Sequence, residues 1–239
     1  MQAGDIITIE ATELVAGGDA IARVDGFPVF ASNVFPGDVA RVRLYEVKKG
    51  FAKAEMVEIV KPSTQRRLAP CPVADECGGC DWTALRLDRQ LEAKRRILTE
   101  SLRRIGKFDV AALPEIRIHP SPLNYRLRSR LHRDGDAVGF YAMRSNRVVP
   151  LASECEVVGV ETARAVTIES LLPAAASSRW GEGARRADEG RSRDDAPTDL
   201  WELDGELIDG DRDLTLTVDA FTYRLHTRAF FQVNRHLLG

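Results

Sequence analysis

The chain has 239 residues, of which 44% are hydrophobic and 29% charged, and its net charge at pH 7 is −2. That length supports one or two domains with a real core, and the composition is that of a globular protein rather than a disordered or fibrous one. A near-neutral total excludes blanket basic charge, so any surface for nucleic acid must be local.

The first residues carry no basic stretch leading into an apolar one, and no apolar run is long enough to span a bilayer. Both observations predict a cytoplasmic protein with no membrane partner. Residues 5–10 read as a strand built on Ile6, Ile7 and Ile9, because β-branched side chains suit a pleated surface. Residues 20–24, 27–30, 39–45 and 52–60 follow as further strands. Turns are expected at 15–19, at Asp25-Gly26 and at Pro36-Gly37-Asp38. Five short strands in about sixty residues predict a small OB-like barrel, placed at 1–62. Lys48, Lys49 and Lys53 of the barrel suit an RNA contact and a plain exposed loop equally.

Past Arg66-Arg67 come Cys71, Cys77 and Cys80, and then a helical pattern over 84–107. Ala84, Leu87, Leu91, Leu98, Leu102 and Ile105 share one face, and Gly106 is a plausible stop. Arg86, Arg89, Lys94, Arg95, Arg96, Arg103 and Arg104 occupy the other faces, where the ordinary reading is a solvated surface. Residues 125–132 alternate: Arg126, Arg128, Arg130 and His132 point one way, Tyr125, Leu127, Ser129 and Leu131 the other. The arginines fit a strand face with scattered ion pairs, but arginines in register are also the electrostatic footprint of phosphate contact, so Arg126, Arg128, Arg130 and His132 are candidate RNA ligands. Strands at 137–142 and 147–151 complete a meander that returns Cys155 toward the other cysteines. Tyr125 and Phe140 read as core, whereas Tyr141 suits either packing or base stacking. Residues 174–199 lose periodicity and read as a flexible insertion. Order is expected to resume at 200–207, with antiparallel strands at 214–218 and 221–226.

The cysteine layout is the most specific signal. Four thiolates are what one 4Fe–4S cluster or one structural zinc requires. Zinc ribbons usually supply two Cys-x-x-Cys knuckles, and here there is only Cys77-Gly78-Gly79-Cys80, with Cys71 before it across a five-residue gap and Cys155 far downstream. A cubane is larger than one ion, and a loop wrapping it gains from Gly78 and Gly79, which relieve crowding and free backbone amides to donate to sulfur. The spacing favours iron–sulfur and leaves zinc open. In a reducing compartment a disulfide is the weakest alternative. With all four thiols on a metal, none remains as a nucleophile.

Taken together, Cys71-x5-Cys77-Gly-Gly-Cys80, the following helix with Gln90 and Lys94, and the returning Cys155 resemble the iron–sulfur type of RNA uracil-5-methyltransferase, the 23S ribosomal RNA type. Val15-Ala-Gly-Gly-Asp-Ala-Ile-Ala and Phe35-Pro-Gly-Asp resemble that family's TRAM domain. Tyr125-Arg126-x-Arg128-x-Arg130, Gly139-Phe140-Tyr141 and Phe230-Phe231-Gln232-Val233-Asn234 stand in the family's order. The resemblance implies that Cys71, Cys77, Cys80 and Cys155 hold a 4Fe–4S cluster, that Gln232 contacts S-adenosylmethionine, and that helix 84–107 packs on the methyltransferase domain. It also implies a chemistry in which a cysteine attacks carbon 6 of uracil, carbon 5 takes the methyl group, and a carboxylate removes the carbon 5 proton. The sequence departs from the family in having no cysteine after Cys155.

The resulting expectation is a mainly β fold with some helix. It comprises a TRAM barrel at 1–62, an antiparallel cluster-binding domain at 63–220 that includes the long helix, and at 221–239 a Rossmann-like methyltransferase domain missing or only begun. The expected function is the RNA-binding and cluster-binding part of a methyltransferase for ribosomal RNA, a monomer inactive by itself, its helix face at Leu87, Leu91, Leu98 and Leu102 open. The alternative is a stand-alone RNA-binding module with a structural four-cysteine site. A radical methylthiotransferase is disfavoured, because it needs a Cys-x3-Cys-x2-Cys run with one iron left open.

Overall fold

A computed structural model describes residues 1–159, 198–203, 206–209, 213–218, 221–226 and 234. The chain forms two compact units, Met1–Ala69 with Asp81–Pro120, and Pro70–Cys80 with Ser121–Gly239. It therefore changes unit on either side of the loop that carries three cysteines.

In the first unit, β1 (Ile6–Glu10), β2 (Glu13–Leu14), β3 (Ala20–Val24), β4 (Phe27–Ser32), β5 (Val39–Val47) and β6 (Ala52–Lys61) form one sheet in the order β1-β5-β6-β4-β3-β2. The short β2 falls where the sequence reads as connection. All neighbours are antiparallel except β4 and β6. Alternate residues point inward: Ala20 and Ala22, Val29 and Ala31, Ala40, Val42 and Leu44, then Ala52 and Ala54 are all buried. So many alanines on the inner face let the sheet curl tightly around a narrow core, and register shifts between β5 and β6 add twist. Asp25 and Gly26 both take positive φ, 50° and 83°, as a two-residue hairpin turn requires.

Helix α1 (Leu87–Arg104) is shorter than the predicted 84–107, because Leu85 is drawn into the barrel core and pairs with Arg66 in an isolated bridge. Arg86 at its start provides no side-chain cap. Asp88 in the first turn and Arg103 and Arg104 in the last complement the helix dipole. Gln90 reaches back to the carbonyls of Trp82 (3.0 Å) and Leu85 (2.9 Å), which fixes the chain entering the helix. The helix belongs to the barrel unit: Ala93 is buried with the barrel core, and Arg96 donates to the carbonyl of Leu14 at 2.9 Å. Leu87, Leu98 and Ile105, on the face with the apolar periodicity, are exposed in that unit.

In the second unit, β7 (Arg128–Asp134), β8 (Ala137–Tyr141), β9 (Val148–Pro150), β10 (Thr198–Leu203) and β11 (Glu206–Asp209) form an antiparallel sheet in the order β11-β10-β7-β8-β9. The segment 200–207, where order is expected to resume, falls across a hairpin of two strands. Leu127, Ser129 and Leu131 are buried, in keeping with the alternation of that run. The core gathers Leu131, Val138, Leu151, Val157 and Val158 around Cys155. A further hairpin pairs β12 (Asp213–Val218) with β13 (Phe221–His226), and Asn234 bridges to Arg126. Residue 221 thus begins a strand that forms a hairpin with the preceding one. Gln232 and positions 174–197 of the expected insertion lie outside the described residues.

Candidate functional site

Cys71, Cys77, Cys80 and Cys155 all lie in the second unit, and all are free thiols. The loop carrying the first three is a run of tight turns: the Ala74 amide donates to the carbonyl of Cys71 and the Cys77 amide to that of Val73. It is stitched to the end of β8, with the Gly78 amide on the Tyr141 carbonyl at 2.9 Å, the Met143 amide on the Glu76 carbonyl at 3.1 Å, and a bridge between Cys77 and Ala142. Arg147 closes the same edge with an ion pair to Glu76 at 2.9 Å. Both glycines are dictated by close approach. A Cβ on Gly78 would stand 2.9 Å from the Tyr141 carbonyl oxygen, and one on Gly79 would stand 2.8 Å from the Phe140 ring. The freed Gly79 amide donates to Cys77 Sγ at 3.4 Å, the donation to sulfur expected of this pair.

Cys155 is brought in by a residue that the sequence reading overlooked. Asn124 takes a positive φ of 57°, and its side-chain amide donates to the carbonyls of Cys155 and Val158. Its backbone amide and that of Arg126 donate to Glu156 and Val157. Asparagine tolerates that conformation better than other side chains, so an Asn just before an alternating run was the available signal.

The thiols sense one another. Burial pushes the Cys80 thiol up to about 12, and the charge of Cys155 adds to the effect, followed by those of Cys77 and Cys71. Burial also raises Cys71 and Cys77, again with Cys155 contributing. Arg126 opposes this at Cys77 and Cys80. Its guanidinium donates to the Gly79 carbonyl at 3.3 Å and lies 5.6 Å from the Phe140 ring centroid, holding a positive charge against the loop. Among the described residues no three His, Cys, Asp or Glu side chains are drawn together as tightly as a single bound ion requires. The donor chemistry fits a larger thiolate-bound group: four free cysteines on two segments of one unit, within electrostatic reach, with backbone amides and a guanidinium beside them.

The four basic candidates on the alternating run are not equivalent. Arg126 is turned into the cysteine loop. Arg128 is half-buried, and burial pulls its guanidinium below its ordinary value. Arg130 is exposed. His132 is buried and stacks on Tyr141, with ring centroids 3.6 Å apart and planes at 13°. One face of Tyr141 is therefore already covered. In the barrel, Lys49 is exposed, while Lys48 pairs with Glu46 at 2.6 Å and stands 5.5 Å from the Phe51 ring centroid. Among the described residues no helix is long and apolar enough to cross a membrane.

The TRAM domain family matches residues 2–57. The chain is 38% identical over 154 residues to a Gloeobacter violaceus protein named as an uncharacterized RNA methyltransferase, a match covering 62% of this chain and 34% of that protein. It is 35% identical over 243 residues to a Corynebacterium efficiens protein of the same description, covering 95% of this chain and 56% of the relative. The chain thus spans between a third and a little over half of these relatives' length. A solved structure of the Pyrococcus abyssi tRNA (uracil-54, C5)-methyltransferase, in complex with S-adenosyl-L-homocysteine, matches with TM-score 0.55 and 19% identity, covering 95% of this chain and 61% of that one. At that identity the likeness speaks to fold.

The expected fold class needs correction on this point. Both a relative and a solved methyltransferase structure follow the chain over 95% of its length, so the described fold, mainly β with one long helix, is not one from which the methyltransferase domain is clearly missing. The physical reason, among the described residues, is the pairing above: 221–226 closes onto 213–218 and Asn234 bridges to Arg126, all within the cysteine-bearing unit.

Proposed function

Because this chain carries a TRAM domain and is homologous to bacterial proteins named RNA methyltransferases, we propose that it supplies the RNA-binding and cluster-binding parts of a cytoplasmic, S-adenosylmethionine-dependent RNA uracil-5-methyltransferase acting on ribosomal RNA. One observation carries the reading: all four cysteines are free and lie in one unit, where the charge of Cys155 bears on Cys71, Cys77 and Cys80, in a chain that also carries a TRAM domain. Cys71, Cys77, Cys80 and Cys155 are assigned as ligands of a 4Fe–4S cluster, which when bound would tie the 71–80 loop to the 155 segment. Arg126 offsets the negative charge of the thiolates, and the Gly79 amide donates to sulfur. Arg130, exposed at the end of the same run, is assigned to phosphate contact, and Gln232 to the methyl donor. With every thiol committed, no cysteine is left to attack uracil, so the 239-residue chain binds RNA without turning it over.

The test is elemental analysis of anaerobically purified protein together with a methyl-transfer assay. About four irons and four sulfides per chain are expected, falling sharply in Cys155→Ser, with no methylation of uracil-containing RNA. Zinc without sulfide would overturn the cluster, and turnover by the chain alone would overturn the assignment of all four thiols as ligands.

A further inference from the structure

The first unit holds an open groove of about 980 Å³ between the C-terminal half of α1 and the barrel. Leu14, Phe30 and Ile97 contribute its apolar floor, and Arg96, Arg103, Arg104 and Lys107 its rim. Glu13 and Glu100 are the carboxylates that line it, so the groove has an excess of positive charge within a chain whose net charge is −2. Both carboxylates are engaged, Glu13 with Arg96 at 3.1 Å and Glu100 with Arg103 at 2.6 Å. Arg104 and Lys107 are exposed and form no ion pair among the described residues.

The floor adds a second element. Phe30 is half-buried and meets Phe51 edge-to-face, with ring centroids 5.9 Å apart. Lys53 stands opposite Phe30 on β6, and Lys48 lies over the Phe51 ring. The aromatic pair thus has two lysines beside it in the same unit, both ion-paired to Glu46, at 2.6 Å for Lys48 and 3.6 Å for Lys53. Aromatic rings that take bases, in a positive trough that follows a backbone, are how proteins hold single-stranded nucleic acid. An acidic protein segment would match the groove's excess positive charge but leave the half-buried Phe30 face unused, whereas a nucleic acid strand supplies phosphates for the one and a base for the other.

We propose that the groove between α1 and the barrel is a track for single-stranded RNA, with Arg104 and Lys107 on phosphates and Phe30 as a stacking face. The proposal deepens the RNA-binding reading above and rests on it. It is independent of the cysteine site.

The test measures binding of a fluorescein-labelled, uridine-rich single-stranded RNA to the full chain by fluorescence anisotropy over a range of salt. In Arg104→Glu/Lys107→Asn, asparagine is chosen because Lys107 has a φ of 57°. This variant is expected to bind at least about tenfold more weakly, and its plot of log affinity against log salt to flatten by about 1.4, as for two lost phosphate contacts on a single strand. Phe30→Leu, which keeps an apolar floor, is expected to lose about fivefold or more with an unchanged salt slope. The control Arg117→Glu, at an exposed site outside the groove, is expected to bind as the parent does. Circular dichroism establishes that each variant is folded, and an unfolded double variant leaves Phe30→Leu to decide. If the parent binds RNA and the groove variants bind equally well, the track is wrong and the groove belongs to a protein partner. If the parent binds no RNA, the RNA-binding reading fails, and the track with it.

Discussion

Asp38 is completely buried, and its carboxylate accepts hydrogen bonds from the amides of Phe35 (2.6 Å) and Ser63 (2.7 Å) and from the Arg66 guanidinium (2.7 and 2.8 Å). Arg66 in turn lies 4.5 Å from the Phe35 ring centroid and donates to the Asn33 carbonyl. This one side chain ties the β4–β5 connection to the segment leaving β6. Asp38→Ala would leave two amides and a largely buried guanidinium without their acceptor, so we expect a loss of roughly 3–5 kcal/mol in urea unfolding of the barrel. A loss below about 1 kcal/mol would show that water replaces the carboxylate. The sequence marks Pro36-Gly37-Asp38 as a turn within a TRAM-like segment, with nothing to say that the acid is buried. The acid's burial depends on Arg66, twenty-eight positions away, and no local pattern announces such a pairing. The cysteines are the opposite case: the glycines between Cys77 and Cys80 signal tight wrapping by themselves, and their crowding against Phe140 and Tyr141 gives that signal its cause.

Helix α1 shows how periodicity can reveal an element without revealing the face that seats it. The apolar spacing of Leu87, Leu91, Leu98 and Leu102 marks a helix, and one spans Leu87–Arg104. Leu87 and Leu98, on the face expected to be open, are exposed in the barrel unit, at 49% and 42%. The side that meets the barrel is instead the line of Ala93, Arg96 and Ile97. Ala93 allows close approach, while the arginine stem packs and its head reaches the Leu14 carbonyl. A hydropathy pattern scores arginine as solvent-facing and alanine as neutral, so this contact is invisible to it. Ala93→Leu is expected to overpack the joint and cost about 1–3 kcal/mol in thermal or urea unfolding. Leu98→Ala, on the exposed side, should cost under about 1 kcal/mol in the isolated chain. Equal costs would mean that the helix is seated the other way round.

At the scale of the whole molecule, the described residues form two hydrophobic cores, one in each unit. The barrel core, from Ile9 to Ala93, contains no cysteine, whereas the second core is built around Cys155 with Cys80 packed against it. The alternation of small apolar residues on β3 to β6 made the first core legible from sequence. The second was legible only in part, because its order depends on long-range pairings such as Asn124 with the 155–158 segment and β7 with β10. The two cores should therefore respond differently to loss of a bound metal group. A group held by four thiolates stabilises only the state in which those thiolates are together, so its removal weakens the unit that contains them. Hydrogen exchange followed by mass spectrometry, before and after anaerobic removal of iron with a chelator, separates the cases. Peptides covering 71–80, 124–142 and 148–158 are expected to exchange at least about tenfold faster after removal, whereas those covering β3 to β6 keep their protection. Uniform deprotection of both units would show that they unfold as one, and no change in either would show that the thiols hold nothing that contributes to folding.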